Sequence, residues 1–215
     1  MSDRTEASLA HIRGELDTGS VAGIIFDMDG TLVDSGLDFA AMRREMGLPD
    51  GVPLLETLEN LSAAEAARCR AILLRHEEAG AERASVLPGV FQFLERLRGL
   101  GVRRAVFTRN SRSVAEATLT RCGLRFDLVV TRDDGPVKPD PWAIRHICEV
   151  WGVAPAQVAV IGDYRFDIEA GIRAGARTVF FTRGRSGENL PGADLAEFHL
   201  ENFQETDRLM QTLGL

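Results

Sequence analysis

Cysteine is scarce. Cys69, Cys122 and Cys148 stand far apart, with no Cys-x-x-Cys pair. This excludes a disulfide framework and a thiolate zinc site, and it points to a reducing compartment. Each cysteine falls inside a helical pattern, where a small buried hydrophobe is expected. No apolar run is long enough to cross a bilayer, so no membrane partner is expected. The stretch Met1 to Ser20 mixes charges of both signs and lacks the apolar centre of a signal peptide. It reads as a short helix around Ala7–Leu16 or as a loose extension, and the expected location is cytoplasmic. Basic residues are in deficit: 25 Lys and Arg against 32 Asp and Glu leave a net charge of −7. That balance argues against nucleic acid as a partner. The arginines at 43, 44, 103, 104, 183 and 185 have acidic neighbours and read as solvated faces. His11, His76, His146 and His199 match no metal-ligand spacing. Internal repeats and low-complexity tracts are also missing.

What is present is an ordinary globular composition, 45% hydrophobic and 27% charged over 215 residues. Short runs rich in Val, Ile, Leu and Phe occur at Gly23–Phe26, Arg104–Phe107, Leu128–Val130, Val158–Ile161 and Thr178–Phe181, with a weaker one near Glu197–Leu200. Nearly continuous apolar runs of this length suit parallel strands buried on both faces. Helical patterns separate them. One follows Pro88, with a stripe of Val90, Phe91, Leu94 and Leu97. One follows Ser113-Val114-Ala115-Glu116, which has the form of a capping box, and ends at Gly123. One follows Pro139 and Pro141 and stops at Gly152, and one runs from about Arg165 to Ala174. Strands alternating with helices imply right-handed βαβ units and a doubly wound, Rossmann-like α/β sheet.

Residues 36–85 break the rhythm. They read as helices at about Phe39–Met46, about Pro53–Leu61 and Ala63–Glu78, the last opened by the capping box Ser62-Ala63-Ala64-Glu65. The expected organisation is therefore a core domain of residues 1–35 plus 86–215, with residues 36–85 inserted as a small α-helical cap.

The chemistry concentrates at Phe26-Asp27-Met28-Asp29-Gly30-Thr31. In extended chain, residues i and i+2 share a face, so Asp27 and Asp29 point into one crevice at a strand end. Two such carboxylates repel unless a cation or a shared proton relieves them. Gly30 permits a sharp turn and leaves backbone N–H groups available to an anion. This arrangement suits an aspartate that attacks phosphorus beside a metal ion and a second acid.

Ligands of parallel α/β sheets bind outside the carboxyl ends of the strands. Thr108, Arg109 and Asn110 follow the second run, Lys138 lies in the loop after the third, and Gly162, Asp163 and Asp167 follow the fourth. Each has an ordinary alternative. Thr108 reads also as a strand-end hydroxyl, Lys138 as a surface lysine and Asp163 as a helix N-cap. Arg43, Arg44, Arg75 and Arg109 read equally well as substrate contacts or as structural and solvated groups. The convergence of these residues on one rim is what favours phosphoryl transfer.

In these motifs the chain resembles the haloacid dehalogenase superfamily, in its phosphoglycolate-phosphatase-like branch with a helical cap. Asp27-Met28-Asp29-Gly30-Thr31, Thr108, Lys138 and Gly162-Asp163 with Asp167 match its four motifs in order, over roughly residues 22–182. The resemblance implies Asp27 as nucleophile, forming an aspartyl-phosphate, and Asp29 as acid and then base. It implies Thr108 and Lys138 on the phosphoryl group, and Gly30, Thr31, Arg109 and Asn110 as further substrate contacts. It places Mg²⁺ on the Asp27 carboxylate, the Asp29 carbonyl and Asp163, with Asp167 acting directly or through water. The implied partner is a small phosphorylated metabolite; oligomeric state stays open. Rival readings are a phosphomutase, which Thr31 after Gly30 disfavours; a dehalogenase, which the presence of Asp29 disfavours; and a non-catalytic binding protein. Three features depart from the family pattern: Tyr164 directly after Asp163, Arg109-Asn110 after Thr108 where Asn commonly comes directly, and a short cap.

Overall fold

The computed structural model describes residues 20–185 and 190–215. The helix expected around Ala7–Leu16 lies outside them. Six strands form one parallel sheet in the order β5-β4-β1-β6-β7-β8. They are β1 (Gly23–Phe26), β4 (Arg103–Phe107), β5 (Leu128–Val130), β6 (Val158–Gly162), β7 (Arg177–Phe181) and β8 (Phe198–Leu200). Alternate residues of β1 enter opposite layers. Ile24 and Phe26 pack with Phe93 and Phe203 on one face, and Ile25 packs with Ile144, Ile147 and Trp151 on the other. Burial of both faces is why these strands read as unbroken apolar runs. Helices α4 (Val90–Gly99) and α5 (Arg112–Arg121) cover the first face together with α8 (Asp207–Thr212); α6 (Trp142–Trp151) and α7 (Arg165–Ala174) cover the second. The three cysteines are buried and free, one in each apolar cluster. Among the described residues no helix is long and apolar enough to cross a membrane.

Between β1 and α4 the chain leaves the sheet and returns through a two-stranded antiparallel link. In it Val33 of β2 (Val33–Asp34) pairs with Val86 of β3 (Ser85–Val86), and Asp34 with Ser85. Three helices lie between: α1 (Phe39–Met46), α2 (Leu54–Leu58) and α3 (Ala63–Arg83). They enclose a small core of Met42, Met46, Leu54, Leu58, Cys69 and Leu73.

Several local expectations shift. Helix α2 is shorter than Pro53–Leu61, because Asn60 turns its side-chain amide back onto the Glu56 carbonyl at 2.9 Å and the chain then bends into the Ser62 cap. Helix α3 runs past Glu78 to Arg83. Its buried stripe continues through Glu77, Gly80 and Ala81, residues whose charge or small size hides the period. The cap of α5 is Ser111, not Ser113, since the chain is still extended at Ser111 and its hydroxyl accepts the Val114 N–H at 3.4 Å. Asp163 is not the N-cap of α7. Tyr164 holds that position, and Asp167 in the first turn accepts the Tyr164 N–H at 3.1 Å.

Two bidentate ion pairs join the helical insertion to the sheet. Arg109, after β4, meets Glu56 of α2 at 2.8 Å, and Arg132, after β5, meets Glu77 of α3 at 2.8 Å. Glu77 is only 5% exposed, and burial lifts its carboxyl above the usual range although Arg132 pulls the other way. Removing one partner of such a pair strands the other charge. Arg132→Ala should therefore lower unfolding free energy by about 3 kcal/mol in urea denaturation; a loss below about 1 kcal/mol would show that the pair is dispensable to the fold.

Candidate active site

The carboxyl ends of β4, β1 and β6, three adjacent strands, deliver Thr108, Asp27 and Asp163 to one crevice. The Asp27 N–H is tied to the Ile161 carbonyl at 2.8 Å, which fixes its backbone against β6. Lys138 reaches in from the loop after β5. Lys138 is 2% exposed, and its ammonium donates to Asp27 Oδ1 at 2.5 Å and to Asp167 Oδ1 at 2.7 Å, above the ring of Phe107. Burial works against the charged lysine, but Asp167 and Asp27 outweigh it and hold its proton above the ordinary lysine range.

Asp27, Asp163 and Asp167 place one oxygen each within 4.8 Å of one another. Burial raises Asp27 well above the carboxylate range, against Lys138, with Asp167 and Asp163 adding to the rise. Burial, with Asp167 beside it, pushes Asp163 up to about 7 against the pull of Arg185 and Arg183. Asp27 and Asp167 thus share one ammonium, Asp163 has only Arg185 at 3.9 Å, and the excess negative charge is what a hard divalent cation with oxygen ligands would neutralise. The donor set fits such an ion.

Two glycines make the crowding possible. Gly30 has φ +83°, and a β-carbon there would lie 2.3 Å from Asp163 Oδ2. A β-carbon at Gly162 would lie 2.2 Å from Asp167 Cγ. Backbone of β1 and β6 can approach the carboxylates only where side chains are absent.

Asp29 turns away from the Asp27–Asp163–Asp167 cluster. The Ser35 hydroxyl donates to its Oδ1 and the Asn110 amide to its Oδ2. Burial raises its proton affinity, opposed by these two hydrogen bonds and by Lys138. The Thr108 hydroxyl accepts the Asn110 N–H at 3.2 Å, which leaves its own proton to donate into the cavity.

Asp27, Asp29, Thr108, Arg109, Asn110, Lys138, Asp163 and Asp167 all line one cavity. Gly30 and Thr31 are not on its wall. The Gly30 N–H is used on the Val33 carbonyl at 2.8 Å, and Thr31 is fully buried with its hydroxyl unpartnered. Arg109 is claimed by Glu56 and lies over Phe166 at 4.8 Å, and Asn110 is claimed by Asp29. Ser35, Glu56, Glu77 and Arg132 shape the site without having been foreseen. Ser35 lies just past the first motif and was open to notice. The other three carry no local signal, since their partners lie 53 and 55 residues away.

Comparison with known proteins agrees with this geometry. The family described as haloacid dehalogenase-like hydrolase matches residues 24–181. A haloacid dehalogenase-like hydrolase domain-containing protein of Arabidopsis thaliana is 29% identical, over 88% of this chain and 84% of its own. A phosphoglycolate phosphatase of Chromobacterium violaceum is 32% identical, over 81% of this chain and 91% of its own. A crystal structure of a hydrolase from Pseudomonas syringae superposes with TM-score 0.74 at 23% identity, over 88% of this chain and 98% of that one, and so shares the fold. With four motifs on adjoining strand ends and a family match across most of its length, the chain belongs to the haloacid dehalogenase-like hydrolases, in their phosphoglycolate-phosphatase-like branch, and is a hydrolase of the phosphatase class.

Proposed function

We propose that the protein is a Mg²⁺-dependent phosphatase that hydrolyses a small phosphomonoester through a phosphoryl group carried on Asp27. The observation that carries this reading is the buried Lys138 ammonium bridging Asp27 and Asp167 at the floor of a cavity that also holds Asp29 and Thr108. Lys138 occupies Oδ1 of Asp27, so Oδ2 is the oxygen left to attack phosphorus. As the P–O bond to the alcohol breaks, Asp29 gives its proton to the departing oxygen; burial favours the protonated form needed for that. Asp29, now ionised, takes a proton from water. The water oxygen attacks the same phosphorus, and the bond to Asp27 breaks, releasing inorganic phosphate and restoring both carboxyl groups. Ser35 and Asn110 hold Asp29 in place for both steps. Thr108 donates to a phosphoryl oxygen, and Lys138 offsets the charge that builds on it.

Asp27 and Asp163, with the Asp29 carbonyl, would hold Mg²⁺, which supplies positive charge against the nucleophile and the phosphoryl oxygens. Both Asp167 oxygens already have donors, Lys138 and the Tyr164 N–H, so Asp167 acts by placing Lys138. The insertion 36–85 forms the cap that shields the site from water. Buried free thiols suit a cytoplasmic location.

Phosphate release from a panel of phosphomonoesters tests the reading. Release should require Mg²⁺, cease on chelation and return on re-addition. Asp27→Asn should abolish it with an unchanged circular dichroism spectrum, and clear residual turnover in that variant would rule Asp27 out as nucleophile. Asp29→Asn separates the two steps. With p-nitrophenyl phosphate, whose leaving group needs no acid, it should give a burst of p-nitrophenolate stoichiometric with enzyme. Steady turnover should then be slower than wild type by roughly 10²–10⁴. A linear trace without a burst would place the base elsewhere.

A further inference from the structure

The catalytic floor opens into a cavity of about 380 Å³, at the small end of the range that suits a ligand with a ring system. The cap contributes Leu37, Phe39, Pro53, Leu54, Leu55 and Leu73 to its wall, and the core contributes Tyr164 and Phe166. Most charges there are already matched. Arg109 is held by Glu56, and Glu77 by Arg132. A two-carbon phospho-acid would meet apolar side chains across most of this space.

Two large rings on the cavity wall stand half in solvent, one from the insertion and one from the core: Phe39 of α1 is 49% exposed and Tyr164 is 46% exposed. Tyr164 packs edge-on against Phe166 at 5.1 Å, and Phe166 is backed by the Arg109 guanidinium. The core side is therefore a braced aromatic surface. Arg43 follows Phe39 by one helical turn and lines the same cavity. Its Nε donates to the Val52 carbonyl at 2.8 Å, and among the described residues no carboxylate forms an ion pair with it. Its terminal nitrogens remain as donors.

We infer that the substrate is a phosphomonoester whose alcohol carries a planar heteroaromatic ring, seated between Phe39 and the Tyr164–Phe166 surface, with Arg43 donating to an acceptor on the ring edge. This rests on the phosphatase reading above and adds the substrate class. Nucleoside monophosphates and phosphorylated pyridine alcohols share that chemistry. Ring faces stack on aromatic side chains, and an edge acceptor suits a guanidinium.

The test compares kcat/KM of the full chain with Mg²⁺ on uridine and adenosine monophosphates, pyridoxal phosphate, phosphoglycolate and glycerol phosphate. The best ring-bearing ester should exceed phosphoglycolate by at least about tenfold, and the nucleotide and pyridine arms identify which ring is read. Phe39→Ala and Tyr164→Ala should each shrink that preference, chiefly through KM. Both rings are half exposed, and unchanged melting temperatures would confirm that the variants fold. Preference for a ringless ester, or a preference unmoved in both variants, overturns the inference while leaving the phosphatase intact. Absence of release from every ester overturns the phosphatase reading, and this one with it.

Discussion

A lysine ammonium with almost no access to water is the constraint around which the site is built. Lys138 survives burial as a cation because Asp27 faces it from the end of β1 and Asp167 from the first turn of α7. Either carboxylate alone would leave an imperfect match between desolvation and Coulomb attraction. Together they fix the lysine, and the lysine in turn holds Asp27 by its Oδ1. The consequences spread outward. Asp167 must stand in the first turn of α7, so Gly162 must carry no side chain, and Asp163 is displaced from the capping position toward Gly30.

The two carboxylates of the first motif differ in their surroundings, and the roles proposed for them rest on that difference. Asp27 is drawn into the Lys138 and Asp163 charges, while Asp29 is gripped by neutral donors from Ser35 and Asn110. Both are buried and both hold protons more tightly than a free carboxyl. Only Asp27 has an ammonium against it, and this favours its ionised form. Two identical residues two positions apart thus stand in the different environments that the proposed acid and nucleophile need.

The insertion is coupled to this chemistry through charge as well as through apolar contact. Glu56 engages the arginine that follows Thr108, and Glu77 engages the arginine that follows β5. Arg109 also touches the Lys138 carbonyl and the Phe166 ring. The position of the helical insertion is therefore registered at the loops that carry Thr108 and Lys138. The same pairing neutralises charge on the cavity wall and leaves the space above Asp27 largely apolar.

The sequence alone determined the alternation of strands and helices, the interruption by a helical insertion and the rim on which the acidic residues meet. Those properties are local: burial on both faces writes an apolar run, a helix end writes a cap or a glycine, and i, i+2 spacing brings Asp27 and Asp29 to one cavity wall. Tertiary structure alone decided how the rim groups are partnered. It gave Arg109 to Glu56 and Asn110 to Asp29, turned the Gly30 N–H onto Val33 and sank Thr31 below the cavity. The capping serine of α5 and the true length of α3 escaped for a related reason. Competing serines lie two residues apart, and a buried Glu77 interrupts the apolar period that marks a helix face. Whether a side chain serves the substrate or another part of the protein depends on what the folded chain brings within about 3 Å of it, and that information is spread over residues far apart in sequence.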